Sequence, residues 1–157
     1  MTNLAKANWL AFLVPLALLG GALGFQYIGG LPPCEMCYWQ RWPHGIAIAA
    51  ALLALFSRGH ASRRPLVLLA AIAIALSGAI GVYHAGVELG WWEGATACTA
   101  APIIGDADAM LEQILAAPLT RCDEIQWSFL EISMAGWNAI LSLAFSGAIF
   151  WLTTRRA

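Results

Sequence analysis

Four long apolar stretches divide the chain, at roughly residues 9–28, 34–56, 66–87 and 132–153. At ~1.5 Å per residue each is long enough to cross a hydrocarbon core of ~30 Å. Lipid offers no water to the backbone N–H and C=O groups, so such segments fold as helices. The second stretch needs help. Its purely apolar part, residues 46–56, is too short to span. The helix has to extend through Tyr38, Trp39, Gln40, Arg41 and Trp42, which places Arg41 inside or just at the membrane edge. Composition agrees, with 61% of the 157 residues apolar and only 11% charged. A soluble domain of this size cannot hide that much apolar surface. Disorder, coiled coil and collagen are excluded. A net charge of −1 with scattered cations argues against a nucleic-acid binder. The expectation is an all-α membrane protein, with a single domain over 1–157 built as a four-transmembrane-helix bundle.

The charges orient it. Lys6, Arg58, Arg63, Arg64, Arg155 and Arg156 lie before the first stretch, between the second and third, and at the C-terminus, with no acid among them. The acids fall in the other two loops, roughly 29–33 and 88–131, or at their edges. The positive-inside rule then puts both termini in the cytoplasm and these two loops outside. Lys6, the apolar run and the small residues Ala22 and Gly24 weakly suggest a cleaved leader. The run exceeds a usual leader core, however, and the charge map works with it retained. Most of the tryptophans (Trp9, Trp39, Trp42, Trp91, Trp92, Trp127, Trp151) sit at expected span ends as an aromatic belt. In the long outer loop, residues 107–116 have a helical rhythm between Pro102 and Pro118. They suit a short amphipathic helix on the membrane surface.

All four cysteines map to the outer side, Cys34 and Cys37 at the mouth of the second helix and Cys98 and Cys122 in the long loop. Disulfides form and persist in outer compartments. For Cys98 and Cys122, separated by 23 residues, a structural disulfide is the simplest reading, although four cysteines allow three connectivities. Cys34-Glu35-Met36-Cys37 differs. A C-x-x-C pair closes almost no chain and is a poor staple, but it is a good redox couple or half a metal site. Pro32 and Pro33 precede it, and proline favours the start of a helix. A Cys34 thiolate in the first turn would meet the positive end of the helix dipole. Cys37, Arg41, His44 and Ile48 share a helical face.

Arg41 has two readings: snorkelling to headgroups, or stabilising a thiolate or an acceptor held beside it. His44 reads more as a core or interface residue than as a functional one. His84, at the outer end of the third helix, reads equally either way. Gly20/Gly24 and Ser77/Gly81 are small pairs suited to helix packing, and Pro43 is expected to kink the second helix. Zinc usually takes two tight pairs, and the second pair here is not tight, so no metal is expected. Nucleotide-binding and zinc-protease fingerprints are absent from the sequence.

The run Pro33-Cys34-Glu35-Met36-Cys37-Tyr38-Trp39-Gln40-Arg41-Trp42-Pro43 resembles the disulfide bond formation protein B (DsbB) family of bacteria. So do Tyr83-His84-Ala85-Gly86-Val87-Glu88 before Cys98, and the stretches Cys122 to Leu130 and Ser133 to Asn138. The resemblance extends over the whole length. It implies a thiol–quinone oxidoreductase of the bacterial inner membrane, of the kind that keeps the periplasm oxidising. It implies further that a periplasmic, thioredoxin-like DsbA-type thiol oxidase attacks a Cys98–Cys122 disulfide at Cys98. Electrons then pass to Cys34–Cys37, and Cys37 reduces ubiquinone or menaquinone beside Arg41, with His84 nearby. Tyr38, Trp39 and Trp42 are expected to line the quinone cleft. Two other readings compete. In the vitamin K epoxide reductase family the loop cysteines precede the C-x-x-C, opposite to the order here. A non-enzymatic four-helix interaction or metal-handling protein with structural disulfides would tolerate serine at Cys34 and Cys37.

Overall fold

A computed structural model of the chain describes residues 2–57, 59–95, 106–108, 110–111 and 120–155. Cys98 and most of residues 107–116, where a surface helix was expected, lie outside them. The described chain is helical: α1 (Asn3–Tyr27), α2 (Glu35–Phe56), α3 (His60–Glu88) and α4 (Met134–Thr154), with a short hairpin of β1 (Ser128–Phe129) and β2 (Ile132–Ser133) before α4. Among the described residues, three helical segments are long and apolar enough to cross a membrane, Asn3–Tyr27, Ala61–Glu88 and Met134–Thr154. α2 is not among them, because its first turns carry Glu35, Gln40, Arg41 and His44.

α3 packs against α1, α2 and α4. The main core is built on alanine: nine of its thirteen buried members are Ala7, Ala11, Ala47, Ala50, Ala51, Ala54, Ala70, Ala71 and Ala73. Small side chains let helix backbones approach, which is how helices gain dispersion energy where lipid removes the hydrophobic drive. Many of the large residues point outward instead, with Leu53 61%, Ile72 64% and Phe150 55% exposed. An apolar exterior around a small-residue interior suits a lipid solvent.

The helix ends follow from local chemistry. Thr2 caps α1 by accepting from the Ala5 N–H at 3.3 Å, and Cys34 caps α2 through its sulfur. Ser133 caps α4, accepting from the Gly136 N–H at 3.1 Å. The last apolar stretch therefore enters as a strand for two residues and becomes helix only at Met134. Ser133 pairs with Ser128 and Ile132 with Phe129, across a two-residue turn in which Leu130 (φ 52°) and Glu131 (φ 63°) are both left-handed. That backbone matches the twist of a tight hairpin. After α3 the chain folds back at once. Trp92 stacks on Tyr83 with ring centroids 5.9 Å apart and donates its indole N–H to the Tyr83 carbonyl at 2.8 Å. A β-carbon at Gly86 would collide with that indole, so only glycine fits there.

Candidate active site

Cys34 and Cys37 stand at the first turn of α2. The Cys34 sulfur accepts from the Cys37 N–H at 3.3 Å, and the two Sγ atoms are 2.9 Å apart. Cys34 is buried and Cys37 half-buried. His84 Nε2 of α3 lies 3.5 Å from Cys34 Sγ and 3.8 Å from Glu88 Oε1. Glu88 in turn accepts from the Ser133 hydroxyl. Cys122, far along the chain, is fully buried in one cluster with Cys34, Met36 and Val87, against which Cys37 and Tyr83 pack. Three of the four cysteines thus meet at one end of the bundle.

Beside them opens a cavity of about 440 Å³, walled by Cys34, Cys37, Arg41, His44 and His84, by α1 residues including Ala22 and Phe25, and by Trp127 and Trp137. Arg41 points toward α1, donating to the Gln26 side-chain oxygen and to the Ala22 carbonyl at 3.4 Å. Its guanidinium also sits 5.3 Å from the Tyr38 ring centroid, a cation–π distance. At the cavity rim Arg121 makes a two-toothed pair with Asp123 at 3.0 and 2.6 Å. That carboxylate raises the arginine above its ordinary range.

Trp39, expected in the cleft, is 38% exposed and outside the cavity wall. Tyr38 and Trp42, expected there with it, face away from the cavity, are 46% and 73% exposed and do not belong to its wall. The reason is helical geometry. At 3.6 residues per turn they lie roughly 200° around α2 from Met36 and Gln40, which are its buried face. Phe25, Trp127 and Trp137 supply the aromatic wall instead. They come from α1, the loop and α4, so no local spacing could have grouped them.

A polar network joins α2, α3 and α4 just beneath the cysteines. Gln40 Nε2 is 2.9 Å from His84 Nδ1, and Asn138 Nδ2 is 2.8 Å from Gln40 Oε1. His44 Nε2 is 2.9 Å from Asn138 Oδ1 and 3.0 Å from Ser77 Oγ. His44 is thus a buried member of this network and also part of the cavity wall. The spacing of the cysteines gave no reason to single out Gln40, Asn138 and Gln26. The available signal was simpler: a polar side chain inside an apolar span carries a cost and calls for a partner.

Fold and site together define a class, a helical membrane protein with a cysteine pair opening into a cavity at one end of its bundle. The family model described as disulfide bond formation protein DsbB matches residues 5–152. The chain belongs to the DsbB family of membrane proteins involved in disulfide bond formation. It is 32% identical to disulfide bond formation protein B 2 of Pseudomonas syringae pv. syringae, over 97% of this chain and 96% of that protein. It is 34% identical to disulfide bond formation protein B of Marinobacter nauticus, over 83% and 80%. With disulfide bond formation protein B of Shewanella sp. (strain MR-4) the identity is 26% over 91% and 82%. No solved structure matches.

Proposed function

We propose that the protein is an inner-membrane protein-thiol:quinone oxidoreductase. In this reading a DsbA-type dithiol in the periplasm reduces the Cys98–Cys122 disulfide by thiol exchange and leaves with its own disulfide restored. The loop dithiol then reduces a Cys34–Cys37 disulfide. Finally the two electrons and two protons of the Cys34/Cys37 dithiol pass to a quinone, giving hydroquinone and the disulfide. All four helices span, both termini are cytoplasmic, and the cysteines face the periplasm. For α2 this means that its polar first turns sit in the interface beside the cavity.

One observation carries the proposal: Cys37, half-buried in the first turn of α2, opens into an apolar cavity whose wall also holds Arg41. A quinone is a flat apolar ring with two acceptor oxygens. The cavity suits the ring, and a cation beside it stabilises charge developing on oxygen during reduction. Arg41 and His84 are the residues proposed to serve the quinone. Tyr38 acts through Arg41, and Trp42 has no part in the cleft. The shared burial of Cys122 and Cys34 supports the relay, since exchange needs the sulfurs to meet.

The test mixes detergent-purified protein, a reduced DsbA-type oxidase and a short-chain ubiquinone, and follows quinone absorbance. Loss of quinone that requires the reduced donor and vanishes in Cys37→Ser is expected. Wild-type protein that is folded and oxidised yet leaves the quinone untouched would sink the reading. One geometric fact favours a second reading: the ligand atoms of Cys34, Cys37 and His84 lie within 4.8 Å of one another, as a metal-handling protein requires. Stoichiometric metal in the purified protein that is lost in Cys34→Ser would favour that alternative.

A further inference from the structure

The hydrogen bonds among the buried polar groups have directions, and one main-chain carbonyl sets them all. Gln40 Nε2 lies 3.1 Å from the Met36 carbonyl oxygen. A carbonyl only accepts, so this end of the amide is its NH₂ and the other its oxygen. The same NH₂ faces His84 Nδ1 at 2.9 Å. Nδ1 therefore accepts, and the neutral ring carries its proton on Nε2. That Nε2 faces Cys34 Sγ at 3.5 Å.

In the other direction Gln40 Oε1 must accept, so the Asn138 atom 2.8 Å away is its NH₂. The Ser77 carbonyl, 3.3 Å from the same NH₂, agrees. Asn138 Oδ1 then accepts from His44 Nε2 at 2.9 Å and from the Ser142 hydroxyl at 3.0 Å. His44 too carries its proton on Nε2. Its bare Nδ1 is the one buried side-chain polar atom without a partner among the described residues.

We infer that Gln40 and Asn138 are positioning residues that lock both buried histidines in the Nε2–H tautomer, so that His84 presents a proton, not a lone pair, to the Cys34 sulfur. The inference rests on the proposed role of Cys34 and Cys37 as the redox pair. The two tautomers give opposite chemistry at one distance. An N–H aimed at sulfur stabilises negative charge on it each time the Cys34–Cys37 bond opens, whereas a bare nitrogen repels that charge. The lock makes Cys34 the sulfur bonded by the ring N–H, while both sulfurs line the cavity.

The test is ¹⁵N NMR of the reduced, histidine-labelled protein in detergent, with His60→Gln removing the third signal. Coupling of the ring protons to bare and protonated nitrogens reads the tautomer directly, and quinone plays no part. Both rings are expected as pure Nε2–H in the parent. Gln40→Met is expected to add an Nδ1–H population to His84. Asn138→Leu is expected to do so for His44 alone, because the Met36 carbonyl still anchors Gln40. With Cys37→Ser in place, Gln40→Met is also expected to slow alkylation of Cys34 about tenfold at fixed pH, the loss of one charge-assisted hydrogen bond. An Nδ1–H signal on either ring of the parent overturns the lock, and that spectrum decides alone should a variant fail to assemble. Unchanged His84 tautomer and Cys34 reactivity in Gln40→Met overturn it as well. A parent with the locked spectrum but no quinone reduction separates the two ideas, retaining the lock and removing the redox reading.

Discussion

Gly81 of α3 and Ala135 of α4 are in backbone contact: a β-carbon on Gly81 would lie 3.0 Å from the Ala135 carbonyl oxygen. The Ala139 amide nitrogen is equally near, at 3.0 Å. This approach bears on the site, since the Asn138 side-chain nitrogen would itself lie 3.2 Å from that β-carbon. Gly81→Val is expected to force α3 and α4 apart at a cost of about 1–3 kcal/mol, the usual penalty for overpacking. A lowered unfolding temperature in detergent, together with reduced turnover, checks it. Gly20→Ala is the contrast. A β-carbon there meets nothing within 4 Å, and the change is expected to leave stability equal or higher, because alanine is the better helix former by about 1 kcal/mol.

Cys37→Ser is expected to abolish quinone reduction, lowering it by at least about 10³-fold, because no second thiol is left to form the disulfide. The half-buried position of Cys37 and the near-isosteric exchange predict normal assembly. Unfolding temperature and quinone absorbance, measured on one preparation, separate the two effects. Retained turnover would remove Cys37 from the pathway.

Arg41→Met is expected to raise KM for quinone about 10- to 100-fold, the loss of a hydrogen bond from a charged group worth roughly 1.5–3 kcal/mol. Gln26→Leu is expected to have a smaller effect in the same direction. Gln26 accepts from the Arg41 guanidinium and so fixes its aim without touching the ring. Initial rates across a quinone series, at saturating thiol donor, give both values.

Leu130 and Glu131 hold left-handed backbone without being glycine (φ 52° and 63°). A side chain there costs about 1–2 kcal/mol against the right-handed form. Glu131→Gly is expected to stabilise or leave unchanged the hairpin that leads into α4, and Glu131→Val to destabilise it by about 1 kcal/mol or more. Unfolding temperature ranks the three proteins.

Much of this molecule is legible before folding. The apolar stretches announce helices and a membrane because a bilayer tolerates little else. The C-x-x-C after Pro32 and Pro33 announces a cysteine pair at a helix start, and Cys34 indeed caps α2 with its own sulfur. These are local or compositional properties, readable from neighbours within a turn or two. The hairpin at Ser128–Ser133 is less legible, because an apolar run reads as helix until a two-residue turn and a serine cap interrupt it.

The cysteine pair, the membrane class and the family were thus decided by the sequence alone, through spacing and hydropathy that need no partner. Tertiary structure decided which groups meet. It turned Tyr38 and Trp42 away from the cavity and put Phe25 and Trp127 there. It buried Cys122 against Cys34. It also joined Gln40 to Asn138, 98 residues apart. The physical reason is that helix packing rotates each face to bury its small and polar residues against particular neighbours. A hydrogen bond across three helices depends on all of those rotations at once, and none of them is written in a local spacing.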